Sequence, residues 1–578
     1  MKEFVKTVLA VICAFIIMAV LRFLFFLMIL GSAAMGSSSP VIPRSGAVLD
    51  INMADFILAE QTSGEPVPQF SLTGGVSAGL SSVGIHDATL ALEQAALDPA
   101  VQFVFLRPDE ATGGIAQMEE FRKALSAFRS SGKPVLAYTE FPSNASYYLA
   151  SVADKILMGS AHGGTYQLVG LSSQLIFLKD ILDKLGVNVQ LIRHGKYKSA
   201  GEMFIRSASS AENREQNQVM INSIWASLCG PMAEARDLTP QQLNDLVDNL
   251  AFVLPEDFLK HGLVDELVDH QGLKDKLCTL SQVDDFRKVH LVSLADYVEA
   301  RVVAGTARDK VAVIYADGEI VDTDVSTEVS GDRFVRIIEK VQRDKSVKAV
   351  VLRVNSPGGS VSASVKIRTA LDKLMAEKPL VASFGDYAAS GGYWISNGCQ
   401  KIYADATCIT GSIGVFSMIP EFSQVAKKIG VGVETIGSNK HSDMLSLMRP
   451  FDKQETAYMQ ASVEDIYELF VSLVATSRGL SVERVDQIAQ GRVWAATDAL
   501  EIGLVDEIGG LQDAITYAAA LADLSSSDQY SVVGYPTPPT FFEQLMEQFG
   551  AGPEDESVFL NYQPGRMYAR LPYTYRIR

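Results

Sequence analysis

The chain repeats itself. Lys133-Pro134 recurs as Lys378-Pro379 about 245 positions later, each time just ahead of an apolar run. Gly262-Leu263-Val264-Asp265-Glu266 recurs as Gly503-Leu504-Val505-Asp506-Glu507, about 241 positions on. Phe121, Ala124, Leu125 and Phe128 keep the i, i+3, i+4, i+7 helical spacing of Ile367, Ala370, Leu371 and Leu374. Leu106-Arg107 followed by Gly113-Gly114 echoes Leu352-Arg353 followed by Gly358-Gly359. A long repeat that mixes strand and helix patterns predicts two similar α/β domains in tandem, and 578 residues exceed one ordinary core. The junction falls at Ala304 to Asp309, before the strand pattern Val311-Ala312-Val313-Ile314-Tyr315. This places one domain at 45–305, a second at 308–525 and a tail at 526–578.

Composition narrows the class. Apolar residues make up 48% and charged residues 20%, which is globular. Lys and Arg number 50 against 68 Asp and Glu, and a net charge of −18 argues against a nucleic-acid partner. Cys13, Cys229, Cys278, Cys399 and Cys408 form no CxxC pair and no zinc-ligand spacing, and with Cys13 inside the N-terminal apolar run a disulfide framework is not expected. No metal or organic cofactor is implied by the chemistry read below.

From Val8 to Leu30 the sequence is apolar except for Arg22. As a helix this run spans about 34 Å, enough for a hydrocarbon core of ~30 Å. Arg22 near the middle costs roughly 2.5–3.5 kcal/mol, which the other apolar residues outweigh. Lys2 and Lys6 precede the run and favour a cytoplasmic N-terminus, with residues 1–35 as a transmembrane anchor. A cleavable signal peptide is the alternative, given the small residues Gly31-Ser32-Ala33-Ala34, but the run is long for one. Gly36-Ser37-Ser38-Ser39-Pro40 reads as a linker. At the other end Pro536, Pro538 and Pro539 mark a break, followed by an apolar helical stripe, Phe541, Phe542, Leu545, Met546 and Phe549. The end, Tyr562 to Arg578, is rich in Tyr and Arg and is expected to pack on the body.

The stretch Gly385-Asp386-Tyr387-Ala388-Ala389-Ser390-Gly391-Gly392-Tyr393-Trp394 follows a short apolar strand pattern, Leu380 to Phe384. A serine between a strand and a helix start has an exposed hydroxyl, and Gly391 lets a substrate carbonyl approach the backbone N–H. Upstream, the strand pattern Val347 to Val354 leads into Asn355-Ser356-Pro357-Gly358-Gly359-Ser360, a turn whose N–H groups can supply a second oxyanion donor. Gly195-Lys196-Tyr197-Lys198-Ser199-Ala200 holds a candidate base. Taken alone, each stretch also fits an ordinary corner, turn or solvated charge.

Tyr197-Lys198-Ser199-Ala200, Asn355-Ser356-Pro357-Gly358-Gly359-Ser360, Ala389-Ser390-Gly391-Gly392-Tyr393 and Gly411-Ser412-Ile413-Gly414-Val415, in that order, resemble the long form of bacterial signal peptide peptidase A. The resemblance covers roughly residues 45 to 525. It implies ClpP/crotonase-like folds in both halves and a membrane-anchored serine protease. It also implies Ser390 as nucleophile, Lys198 as base, Ser412 orienting the lysine, and N–H groups of Gly359 and Gly391 as the oxyanion hole. By the same resemblance, the substrates are signal-peptide remnants and other membrane-associated peptides. The resemblance further implies a homotetramer, and the body is expected on the outer face of the bacterial cytoplasmic membrane.

The repeat arithmetic sets Ala145 against Ser390, Ser146 against Gly391, and Ser442 against Lys198. One half carries the lysine without the serine and the other the serine without the lysine, as a composite site requires; drift between duplicated halves leaves the same trace. A serine hydroxyl needs a base, and a lysine serves as one only where burial lowers its pKa. Lys196 is the nearest rival base, and a Ser/His/Asp triad through His194 or His441 is the rival chemistry. A crotonase-type acyl-CoA enzyme and a non-catalytic membrane scaffold are the rival functions.

Overall fold

In a computed structural model, residues 40–63, 69–71, 75–77, 80–302, 305–324, 327–538 and 566–571 are described. The apolar run 8–30 and the stripe 541–549 lie outside them. Among the described residues no helix is long and apolar enough to cross a membrane.

Val347–Ser356 and Leu380–Ala389 are near-continuous apolar runs, the pattern of strands covered on both faces, and they pair in parallel at the centre of the second half's sheet. That sheet runs Val493–Ala495, Ile409–Gly411, Leu380–Ala389, Val347–Ser356, Asp309–Asp317, Tyr530–Tyr535. In the second half Ile402–Ala404 and Glu507–Ile508 branch in parallel from Leu380–Ala389, and the first half repeats that part of the plan as Glu266–Val268, Lys155–Gly159, Val135–Thr139, Val101–Arg107, Ala47–Asn52 and His290–Ser293, all parallel. The predicted helices form at Ile115–Ser130 and Val361–Met375, and each buries the stripe read from its spacing. Two α/β domains in tandem are therefore present. The repeat runs further than the sequence pattern showed, since Tyr530–Tyr535 flanks Asp309–Asp317 as His290–Ser293 flanks Ala47–Asn52.

A third sheet ties the chain together. Its order is Val329–Ser330, Ile320–Val321, Gly358–Ser360, Tyr568–Arg570, Phe416–Glu421, Asn188–Arg193, so it draws a strand from the first half, several from the second and one from the tail. The glycine pair expected in a turn instead forms the short strand Gly358–Ser360. Its φ values, +97° at Gly358 and +156° at Gly359, are ones that side-chain-bearing residues rarely adopt.

The halves also meet through a buried cation. Arg353 donates from Nε to Glu60 Oε2 at 2.6 Å and from Nη2 to Glu120 Oε1 at 2.7 Å, both carboxylates of the first half. Its third nitrogen, Nη1, donates to Ser383 Oγ at 2.9 Å. Beside it Glu119 accepts from the N–H groups of Ala406 and Thr407 at 3.0 and 3.1 Å.

Candidate active site

Ser390 links the strand Leu380–Ala389 to the short helix Gly391–Ser396 with φ +55° and ψ −110°. A non-glycine residue in such a conformation costs roughly 1–3 kcal/mol, so its surroundings must hold it. Ser390 N–H donates to the Gly411 carbonyl at 2.8 Å, and Trp394 N–H donates to the Ser390 carbonyl at 2.8 Å. Trp394 in turn packs its ring 4.4 Å from that of Phe470, and Tyr393 donates its hydroxyl to the Leu504 carbonyl at 2.9 Å.

Lys198 follows the strand Asn188–Arg193 and crosses from the first half into the second. Its Nζ lies 2.7 Å from Ser390 Oγ, 3.0 Å from Ser412 Oγ and 3.0 Å from the Ser412 carbonyl. Lys198 is 1% exposed, and Ser390 and Ser412 are fully buried. Burial holds the Lys198 amine well below the usual lysine range, because removing water penalises the ammonium. Ser412 has φ +51°, which turns it out of the strand Ile409–Gly411 toward the amine.

Gly359, the third expected site element, stands opposite Ala569 of the antiparallel strand Tyr568–Arg570. A Cβ at Gly358 would overlap the Ala569 carbonyl and lie 2.6 Å from Gly391 N, while one at Gly391 would lie 3.1 Å from that carbonyl. Both glycine segments therefore converge on one carbonyl oxygen, in space that any side chain would fill.

The rivals lie apart from this cluster. Lys196 is exposed, with its ammonium 5.1 Å from the Tyr197 ring. His194 stacks on Tyr467 at 3.8 Å, and His441 bonds Glu455 at 2.9 Å. Ser442 is exposed and bonds the Asn439 carbonyl. Ala145 lies inside the helix Asn144–Ala150, whose N-cap is Ser143, so the first half lacks the sharp turn that Ser390 occupies. Ala145 lines a cavity of about 1170 Å³ together with Gly113, Gly114, Leu171 and Ile224.

Two residues that no motif marked, Gln216 and Gly491, place the lysine together with Gly414 of the motif Gly411-Ser412-Ile413-Gly414-Val415. Gln216, on the helix Ala211–Glu234, donates to the Tyr197 carbonyl and to Ser199 Oγ, both at 3.1 Å, and accepts from Val493 N–H at 3.2 Å. It thereby pins the lysine segment to the other half. Gly491 and Gly414 leave room for the side chain: added Cβ atoms would come 2.5 Å from Lys198 Cβ and 3.2 Å from Lys198 Cδ.

The description "Peptidase family S49" matches residues 127–284 and 372–525. The chain belongs to peptidase family S49. The S49 chain is 36% identical to "Protease 4" of Haemophilus influenzae over 76% of its own length and 73% of that protein. It is 35% identical to "Protease 4" of Salmonella typhi over 89% and 83%, respectively. It is 30% identical to the chloroplastic "Serine protease SPPA" of Arabidopsis thaliana over 79% and 68%. This S49 peptidase is thus a long-form, signal peptide peptidase A-type serine protease built from tandem ClpP-like domains.

Proposed function

We propose that Ser390 is the nucleophile and Lys198 the base of this peptidase, with the domain 45–305 carrying the lysine and the domain 308–525 the serine. The observation that carries the reading is the 2.7 Å approach of Lys198 Nζ to Ser390 Oγ inside a fully enclosed cluster. A neutral amine has two N–H bonds and one lone pair. Ser412 offers two acceptors at 3.0 Å for the N–H bonds, which leaves the lone pair to face the Ser390 hydroxyl.

Ser390 Oγ then attacks the peptide carbonyl while its proton passes to Lys198, and the oxyanion settles on the N–H groups of Gly359 and Gly391. Collapse breaks the C–N bond, and the lysine ammonium returns its proton to the leaving amine. Water, deprotonated by the same lysine, opens the ester and frees the acid and Ser390. The substrates are peptides that lie extended along Gly358–Ser360, including signal-peptide remnants and other membrane-associated segments. The anchor is the run 8–30, the body lies on the outer face of a bacterial cytoplasmic membrane, and the assembly is a homotetramer.

A fluorophosphonate probe on the full-length protein tests the assignment. Covalent label on Ser390, lost in Ser390→Ala, is the expected result; turnover of an acyl-CoA thioester without labelling would replace it with a crotonase-type activity.

A further inference from the structure

The strand Tyr568–Arg570 lies between Gly358–Ser360 and Phe416–Glu421, antiparallel to both, where the proposed mechanism puts substrate. Its register is specific. Val361 N–H donates to the Met567 carbonyl at 3.3 Å, and Leu571 N–H donates to the Pro357 carbonyl at 2.7 Å. Bonded pairs alternate along an antiparallel ladder, so the intervening Gly359 and Ala569 form the next bonded pair. The Ala569 carbonyl thus faces the Gly359 N–H and lies beside Gly391. It stands where a scissile carbonyl would, with Arg570 as the residue after the cut.

Two carboxylates flank this position. Glu319 Oε2 lies 3.1 Å from Arg570 Nη1, and Asp322 pairs with Arg566, three residues before Ala569. Asp322 also accepts from Ser360 Oγ at 2.7 Å, which fixes it to the strand that carries Gly359. Between the arginines, Tyr568 packs its ring 6.0 Å from that of Phe416, and after them Leu571 is buried among Ile224, Ala389, Ile409 and Val493.

We propose that Glu319 and Asp322 are specificity residues that select peptides with a basic side chain just after the cut and three positions before the residue that is cut. The chain's own segment Arg566–Leu571 carries that pattern and competes with substrate for the groove. A ligand on the same chain meets its site at an effective concentration on the order of millimolar, so even a weak strand competes. The inference rests on the assignment of Ser390 above.

The test uses the full-length protein with Arg566→Glu and Arg570→Glu together. With an internally quenched peptide, kcat/KM should rise about 10-fold through a lower KM, as expected when a competitor worth one decade of affinity is lost. A folded double variant with unchanged kcat/KM would overturn the competition. The synthetic hexapeptide Arg-Met-Tyr-Ala-Arg-Leu, labelled and titrated into the same variant carrying Ser390→Ala, reads binding without catalysis. Binding that is lost on adding Glu319→Gln and Asp322→Asn supports the subsites; binding that ignores those changes, or none at all, overturns them. Activity surviving Ser390→Ala would instead sink the nucleophile assignment and leave the peptide result standing.

Discussion

Gly491 and Lys198 are in direct backbone contact: a Cβ on the glycine would come 2.5 Å from Lys198 Cβ and 2.6 Å from Lys198 N. The lysine's course to the serine therefore depends on a missing side chain on the opposite half. Gly491→Ala should lower kcat about 10²-fold by shifting the amine, since misplacement by an ångström has effects of that size. Alanine at φ +78° also strains the backbone by about 1–2 kcal/mol. Gly503→Ala is the control, with φ +82° but its nearest neighbour 4.0 Å away. It should lose comparable stability, read by thermal denaturation, and keep its kcat.

The buried amine sets the pH profile. Below its depressed pKa Lys198 is an ammonium with no lone pair, so kcat/KM should rise with pH through that value to an alkaline plateau. A profile flat from acid to alkaline pH contradicts a titrating lysine base. Stability follows the same group. Between the folded pKa and the ordinary lysine value the unfolded chain binds the extra proton, so this contribution to stability grows as pH rises and is lost as pH falls. Lys198→Met should therefore stabilise the protein more at pH 7 than at pH 10, measured as the difference in denaturation midpoints.

Ala145→Ser should not rescue Ser390→Ala. A new hydroxyl at 145 would sit inside the helix Asn144–Ala150 rather than on a strained turn, and its repeat-related base position holds the exposed Ser442. The carboxylate of Asp386 also stands against Gly114, the repeat partner of Gly359, and accepts from Ala116 N–H at 2.9 Å. Loss of a base alone removes about 10²–10⁴-fold of rate. Peptidase activity of the double variant above that of Ser390→Ala would show a working site in the first half.

Arg353 should prove the most sensitive side chain at the junction of the halves. Arg353→Met leaves Glu60 and Glu120 buried without their cation, a loss of about 3–5 kcal/mol. Adding Glu60→Gln and Glu120→Gln should recover much of it. Urea denaturation of the three proteins checks both changes.

The sequence showed some of this and hid the rest for identifiable reasons. Ser390 and the glycine pair lie in contiguous motifs beside apolar strands, where local chemistry and periodicity mark them, whereas Ser412 taken alone reads as a plain turn residue and stands out only through the family resemblance. Lys198 is visible only because its motif has a recognisable neighbourhood; its burial depends on Gly414 and Gly491, more than 200 positions away. Gln216 lies on a helix among other polar residues, and nothing local separates its buried amide from its exposed neighbours. Gly358–Ser360 has the composition of a turn because glycine and proline punctuate turns. It is a strand because Ile320–Val321 and Tyr568–Arg570 pair with it from distant parts of the chain. Arg353 sits in an apolar run where sequence alone supplies no counter-charge, and its carboxylates come from the other repeat.

The separation of 192 positions between Lys198 and Ser390 also sets a schedule. A ribosome completes the lysine's half first, and N-terminal domains fold as they are made. The emerging chain then holds an amine that nothing yet buries, because Ser412, Gly414 and Gly491 are still to come, and the later half brings a hydroxyl with no amine beside it until the two dock. With Ser390 and Lys198 in the roles proposed above, proteolytic competence is expected only once both halves are made and docked.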